Sequence, residues 1–114
     1  MLDRPMKGVI AAPFLPMHHN EEIDWDGLAR YMDWLAAQNP AGIAMNMDAS
    51  EVIALNEQEQ EQVIRVCLSS INGRVPFLSG IVAGSTRDAA SKAERYAQMG
   101  VQGFPVFPPF PTFS

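Results

Sequence analysis

Two patterns of apolar residues alternate along this chain: short, nearly unbroken runs, and longer stretches in which apolar side chains return every third or fourth position. The first run is Gly8–Ala12, closed by Pro13, and the polar loop from His18 to Glu22 leads to Asp24, a residue suited to cap a helix. In the stretch that follows, Leu28, Tyr31, Met32 and Leu35 share one face while Arg30 and Asp33 take the other, and Asn39-Pro40 ends it. The second run, Gly42–Met47, is apolar without clean alternation, as expected of a strand covered on both faces. Asn56-Glu57-Gln58-Glu59 then fits a capping box, with Val63, Ile64, Cys67, Leu68 and Ile71 as an inner stripe and Asn72-Gly73 as a stop. The third run is Val75–Val82. Gly84-Ser85 opens a third helix with Ala89, Ala93, Tyr96 and Ala97 facing inward before Gly100, and the fourth run is Val101–Phe107.

The predicted order is βαβαβαβ. Parallel strands joined by crossover helices leave two architectures, the open doubly wound sheet and the (β/α)₈ barrel, and periodicity alone does not separate them. No internal repeat beyond the βα unit and no low-complexity linker divides the chain, so residues 1–114 are read as one unit. Four of nine prolines and four of six phenylalanines fall between Phe104 and Phe113. Such a segment leaves apolar surface to be covered, which fits a fragment of a longer chain or a partner that covers it.

Charge and cysteine content remove several function classes. Eight Lys plus Arg against 13 Asp plus Glu give a formal charge of -5, and the cations are scattered from Arg4 to Arg95, so no basic stripe offers itself to nucleic acid. A lone Cys67 cannot form an internal disulfide and offers no metal-ligand spacing; a reducing, cytoplasmic setting follows. The apolar stretch Gly8–Met17 is broken by Pro13 and Pro16 and falls short of the roughly 20 residues of a spanning helix, so no membrane role is expected.

Candidate chemistry collects in the loops that follow the strands. Asp48, Ser50 and Glu51 place two carboxylates and a hydroxyl in one strand-to-helix loop, either as acid-base groups or as turn formers with a solvated Glu. Gly84-Ser85-Thr86 offers helix N-terminal amides to an anion, or is an ordinary cap. His18-His19 lacks a third ligand and reads as solvated loop, and Cys67 reads as core. Only two lysines exist: Lys7 precedes the first strand and Lys92 lies within a helix, so neither suits a Schiff base held at a strand end.

Taken together, Gly8-Val9-Ile10-Ala11-Ala12-Pro13-Phe14, Glu22-Ile23-Asp24, Gly42-Ile43, Ser50-Glu51, Gly73-Arg74-Val75-Pro76 and Gly84-Ser85-Thr86-Arg87-Asp88-Ala89 resemble the dihydrodipicolinate synthase and N-acetylneuraminate lyase family, in order and spacing, from about Lys7 to Phe110. The resemblance implies the first half of a (β/α)₈ TIM barrel, an aldolase-type lyase or synthase that joins or cleaves 2-oxo acids through a lysine Schiff base. It also implies no cofactor and a homo-oligomer. The Schiff-base lysine and its partner tyrosine belong to later strands of that family.

The carboxylate-gripping Gly-Thr-Thr-Gly-Glu loop of the family aligns with Met47-Asp48-Ala49-Ser50-Glu51, where only the final Glu is kept. Asp48, Ala49 and Ser50 are therefore the expected substrate-binding residues, with a negative charge where an anionic substrate would sit and a preference shifted away from pyruvate. Ala12 stands where the family often has Thr, and Pro108-Pro109-Phe110-Pro111 replaces its Thr-Pro-Tyr-Tyr, so the relay tyrosines are missing. The second hypothesis is a non-catalytic binding or assembly module that keeps part of the barrel.

Overall fold

The computed structural model describes residues 8–47 and 55–105. Six elements follow one another: β1 (Ile10–Ala11), α1 (Trp25–Ala37), β2 (Gly42–Met45), α2 (Glu57–Ile71), β3 (Phe77–Ser79) and α3 (Thr86–Met99). The strands form one parallel sheet in the order β1-β2-β3, with Ile10 opposite Gly42 and Ile43 opposite Phe77.

Each helix starts where a side chain satisfies its first free amides. Asp24 accepts from Gly27 N at 2.9 Å, and Ser85 accepts from Asp88 N at 3.1 Å. Asn56 and Glu59 close a reciprocal capping box at 2.8 and 2.9 Å; such a cap stabilises a helix by roughly 1 kcal/mol. Helix α2 stops at Asn72 in the left-handed conformation, φ 49°, and α3 at Gly100, φ 113°, a backbone geometry that glycine adopts without Cβ strain.

The core lies between the helices and the outer face of the sheet. Leu28, Met32 and Ala36 of α1 meet Val63, Ile64, Cys67 and Ile71 of α2 over Ile43, Met45 and Phe77, with Tyr96 closing the α3 side. All four residues of β2 are buried, which is why that run carries no polar alternation. The α3 stripe is narrower than expected: Tyr96 is buried and Ala89 and Ala93 half-buried, but Ala97 is exposed.

The strands are shorter than the apolar runs. Strand β1 has a neighbour on the β2 side only, among the described residues, and Pro13 offers no amide to extend its ladder. Strand β2 ends before Asn46, whose φ of 57° turns the chain out of the sheet. The fourth run gives no ladder of its own up to Pro105. Residues 102–105 nonetheless lie beside β3: Gln102 N donates to Phe77 O at 2.9 Å, Ser79 N to Gly103 O at 3.1 Å and Ile81 N to Pro105 O at 3.0 Å. Pro105 can accept here but not donate, so this edge is half-equipped. Gly103 lets the chain cross β3 closely, since an added Cβ would meet the end of the Leu78 side chain and oblige it to shift.

Candidate functional site

The carboxyl ends of the parallel strands converge at one end of the sheet, the usual place for a site in this architecture. The loop predicted to bind substrate leaves from there. Asp48, Ala49, Ser50 and Glu51 lie outside the described residues, as do the Pro108–Pro111 positions. The described structure holds the two ends of that loop. Asn46, completely buried, donates through Nδ2 to the Gln60 carbonyl at 3.3 Å and to Ser79 Oγ at 3.1 Å, and Ser79 passes a bond on to Gly80 O at 3.1 Å. Gln60 donates from Nε2 to Leu55 O at 3.2 Å and accepts from the Tyr96 hydroxyl at 3.4 Å. Burial pushes the Tyr96 phenol above its ordinary value.

The loop after β3 is fastened by Lys92. Its ammonium, reaching from α3, donates to Val82 O at 2.8 Å and stands 3.9 Å from the Glu57 carboxylate. Arg95 completes the cluster, 2.6 Å from Glu57 and 3.0 Å from Glu61. The hydrogen bond and charge of Arg95 hold the Glu57 carboxyl below its usual range and raise the guanidinium in return. These groups line a groove of about 400 Å³ with Gln60, Gly84 and Asp88. Each cation already has carboxylate or carbonyl partners, so the groove presents a neutralised wall.

Other singled-out residues take simple roles. Ser85 spends its hydroxyl as a helix cap, and the exposed His18 ring lies 3.6 Å from Asp24 in a wide acidic groove with Glu21, Glu22 and Asp26. Cys67 is buried, and its thiol is pushed well up by desolvation. Among the described residues, no three His, Cys, Asp or Glu side chains gather to hold a metal, and no helix is long and apolar enough to cross a membrane. The Asn46–Gln60–Tyr96 cluster and the Glu57–Arg95 pair went unforeseen. The one available signal was Gln60 itself, a polar residue in register with Val63, Ile64 and Cys67.

An α/β half-barrel sheet with its loops gathered at the strand carboxyl ends is the scaffold of the (β/α)₈ lyases, and solved structures of that kind superpose on it. The chain belongs to the dihydrodipicolinate synthetase family, whose sequence profile matches residues 5–112. It is similar to the 4-hydroxy-tetrahydrodipicolinate synthases of Cellvibrio japonicus, 30% identical over 105 residues, and Methylibium petroleiphilum, 32% identical over 97 residues. These alignments cover 92% and 85% of this chain but 36% and 33% of the relatives. The chain thus spans about a third of the length of the curated relatives it matches. The chloride-inhibited dihydrodipicolinate synthase of Acinetobacter baumannii, solved with pyruvate, superposes with a TM-score of 0.88 at 26% identity, over 94% of this chain and 37% of that one. A monomeric dihydrodipicolinate synthase variant superposes with a TM-score of 0.81 at 19% identity, over 93% and 35%.

Proposed function

We propose that these residues form the first three βα units and the fourth-strand region of an aldolase-type lyase or synthase acting on a small 2-oxo acid. The observation that carries the reading is the family match across residues 5–112, supported by the likeness to a synthase solved with pyruvate. The Schiff-base lysine would then come from a later strand. Lys92 is ill-suited to the task, since it lies within helix α3 and its side-chain nitrogen is engaged with the Val82 carbonyl at 2.8 Å, beside Glu57.

In this reading Asp48, Ala49 and Ser50 contact the substrate, and the charge of Asp48 disfavours a compact monoanion such as pyruvate. The protein works in the cytoplasm, needs no cofactor and assembles with copies of itself. Borohydride trapping with pyruvate and related 2-oxo acids tests the chemistry. The 114-residue chain should give no adduct, and the intact gene product should give one on a lysine downstream of Ser114. An adduct on Lys7 or Lys92 would sink the assignment. Installing threonine at both Asp48 and Ala49 should improve pyruvate turnover; an unchanged substrate preference would place that loop outside the site.

The assembly-module reading draws on a different observation. Val9, Ile10, Phe14 and Trp34 are exposed on the β1–α1 side, as a docking face would be. A reading frame that stops after Ser114, with soluble complexes formed by the 114-residue product, would favour it over the enzyme.

A further inference from the structure

Two completely buried polar side chains stand at the carboxyl ends of neighbouring strands, Asn46 just after β2 and Ser79 at the last position of β3. Burying such groups is costly unless they are paired, and they pair with each other: Asn46 Nδ2 donates to Ser79 Oγ at 3.1 Å and to the Gln60 carbonyl at 3.3 Å. Ser79 Oγ in turn donates to the Gly80 carbonyl at 3.1 Å, while the Gly80 amide donates to Met45 O at 2.9 Å. Gly80, the first residue after β3, is thus held by both of its main-chain polar groups from the end of β2. The two acceptors around Nδ2 fix the orientation of the Asn46 amide, since turning it over would set its oxygen against the Gln60 carbonyl. In that orientation Oδ1 is left without a hydrogen-bond partner among the described residues. An apolar residue here would be less costly, so what the amide secures is geometry. The residues after Gly80 are fastened from other elements, Ile81 N donating to Pro105 O at 3.0 Å and Lys92 to Val82 O at 2.8 Å.

We propose that Asn46 is a positioning residue that acts through Ser79: the relay from its amide to the Gly80 carbonyl fixes the path of Gly80–Val82 against the end of β2. That path leaves the sheet at the strand carboxyl ends, where an architecture of this kind binds its substrate. The effect on substrate rests on the reading that a 2-oxo acid binds there, but the relay is measurable without it.

The test is hydrogen exchange by mass spectrometry on the intact gene product, comparing wild type with Ser79→Ala and Asn46→Asp, and with Ile71→Val as a core change away from the relay. Ser79→Ala removes only the hydroxyl and should speed amide exchange in Gly80–Val82 about fivefold while α1 stays near wild type. Asn46→Asp keeps the side-chain shape but, when ionised, has no donor. It should loosen the same segment at neutral pH and, after correction for the intrinsic exchange rate, recover protection as acid protonates the carboxyl and restores a donor to Ser79 Oγ. In the Ser79→Ala background that recovery should disappear. In steady-state kinetics Ser79→Ala should raise KM for the 2-oxo acid severalfold with little change in kcat, and Ile71→Val should move neither. The proposal is overturned if Ser79→Ala and Asn46→Asp leave Gly80–Val82 at its wild-type rate, if Ile71→Val loosens it equally, or if the acid recovery persists without the Ser79 hydroxyl. A loosened segment with an unchanged KM would overturn the positioning role. Wild-type protein without 2-oxo acid turnover would overturn the enzyme reading alone, because the exchange rates still decide the relay.

Discussion

The two flanks of the sheet are built from the same βα unit and finished differently. On the β3 side, between α2 and α3, polar groups find partners within the chain: Gln60 with Tyr96, Lys92 with Val82, Arg95 with Glu57 and Glu61. On the β1 side a two-residue strand is bordered by Val9, 75% exposed, and by a ladder of rings, Phe14 against Tyr31 at 5.4 Å and Tyr31 against Trp34 at 6.5 Å. A closed barrel pairs its first strand on both sides, and among the described residues β1 has one neighbour. The contrast separates a flank whose charged side chains pair within the chain from one whose apolar surface is suited to a further element.

The largest effect expected separates buried from exposed aromatics. Phe77→Ala, in the fully buried centre of β3, should cost about 3–5 kcal/mol in urea unfolding, whereas Trp34→Ala, 58% exposed, should stay within about 0.5 kcal/mol. Equal losses would mean that the β1 flank is as well packed as the β3 flank. Next comes association. The 114-residue chain should gain mass with concentration in sedimentation, and Val9→Lys with Trp34→Ser should reduce that gain, since both remove exposed apolar surface beside an open edge. A compact monomer at every concentration would contradict the contrast.

Smaller effects probe the β3 flank. Asn56→Ala breaks the capping box and should lower stability by about 1 kcal/mol. For pH, the signs oppose each other. Tyr96 is raised in the folded chain, so its contribution is complete below the ordinary phenol value of 10.0 and is lost as pH climbs through the folded value. Tyr96→Phe should therefore flatten the alkaline limb of a thermal-melt series. Glu57 is lowered, so its contribution is present above the ordinary value of 4.5 and fades as pH falls below it. Glu57→Gln should reduce that acid sensitivity only slightly, because an exposed pair is weak and salt-screened.

Local chemistry carried much of the fold. Asp24, Asn56 and Ser85 announce the helices because each cap acts within four residues of itself, and the spacing of Leu28 and Met32, or of Val63, Ile64 and Cys67, marks the buried faces without reference to any neighbour. Tertiary contacts decided where the strands stop. The apolar run Val75–Val82 becomes a three-residue strand because a ladder extends only as far as its partners do. The same holds at the candidate site. Gln60 and Tyr96 are 36 positions apart, as Asn46 and Ser79 are 33 apart, and no periodicity spans such separations. A buried amide reads in sequence as a flaw in an apolar stripe; it is satisfied only when folding delivers the Leu55 carbonyl and the Tyr96 hydroxyl to its polar atoms.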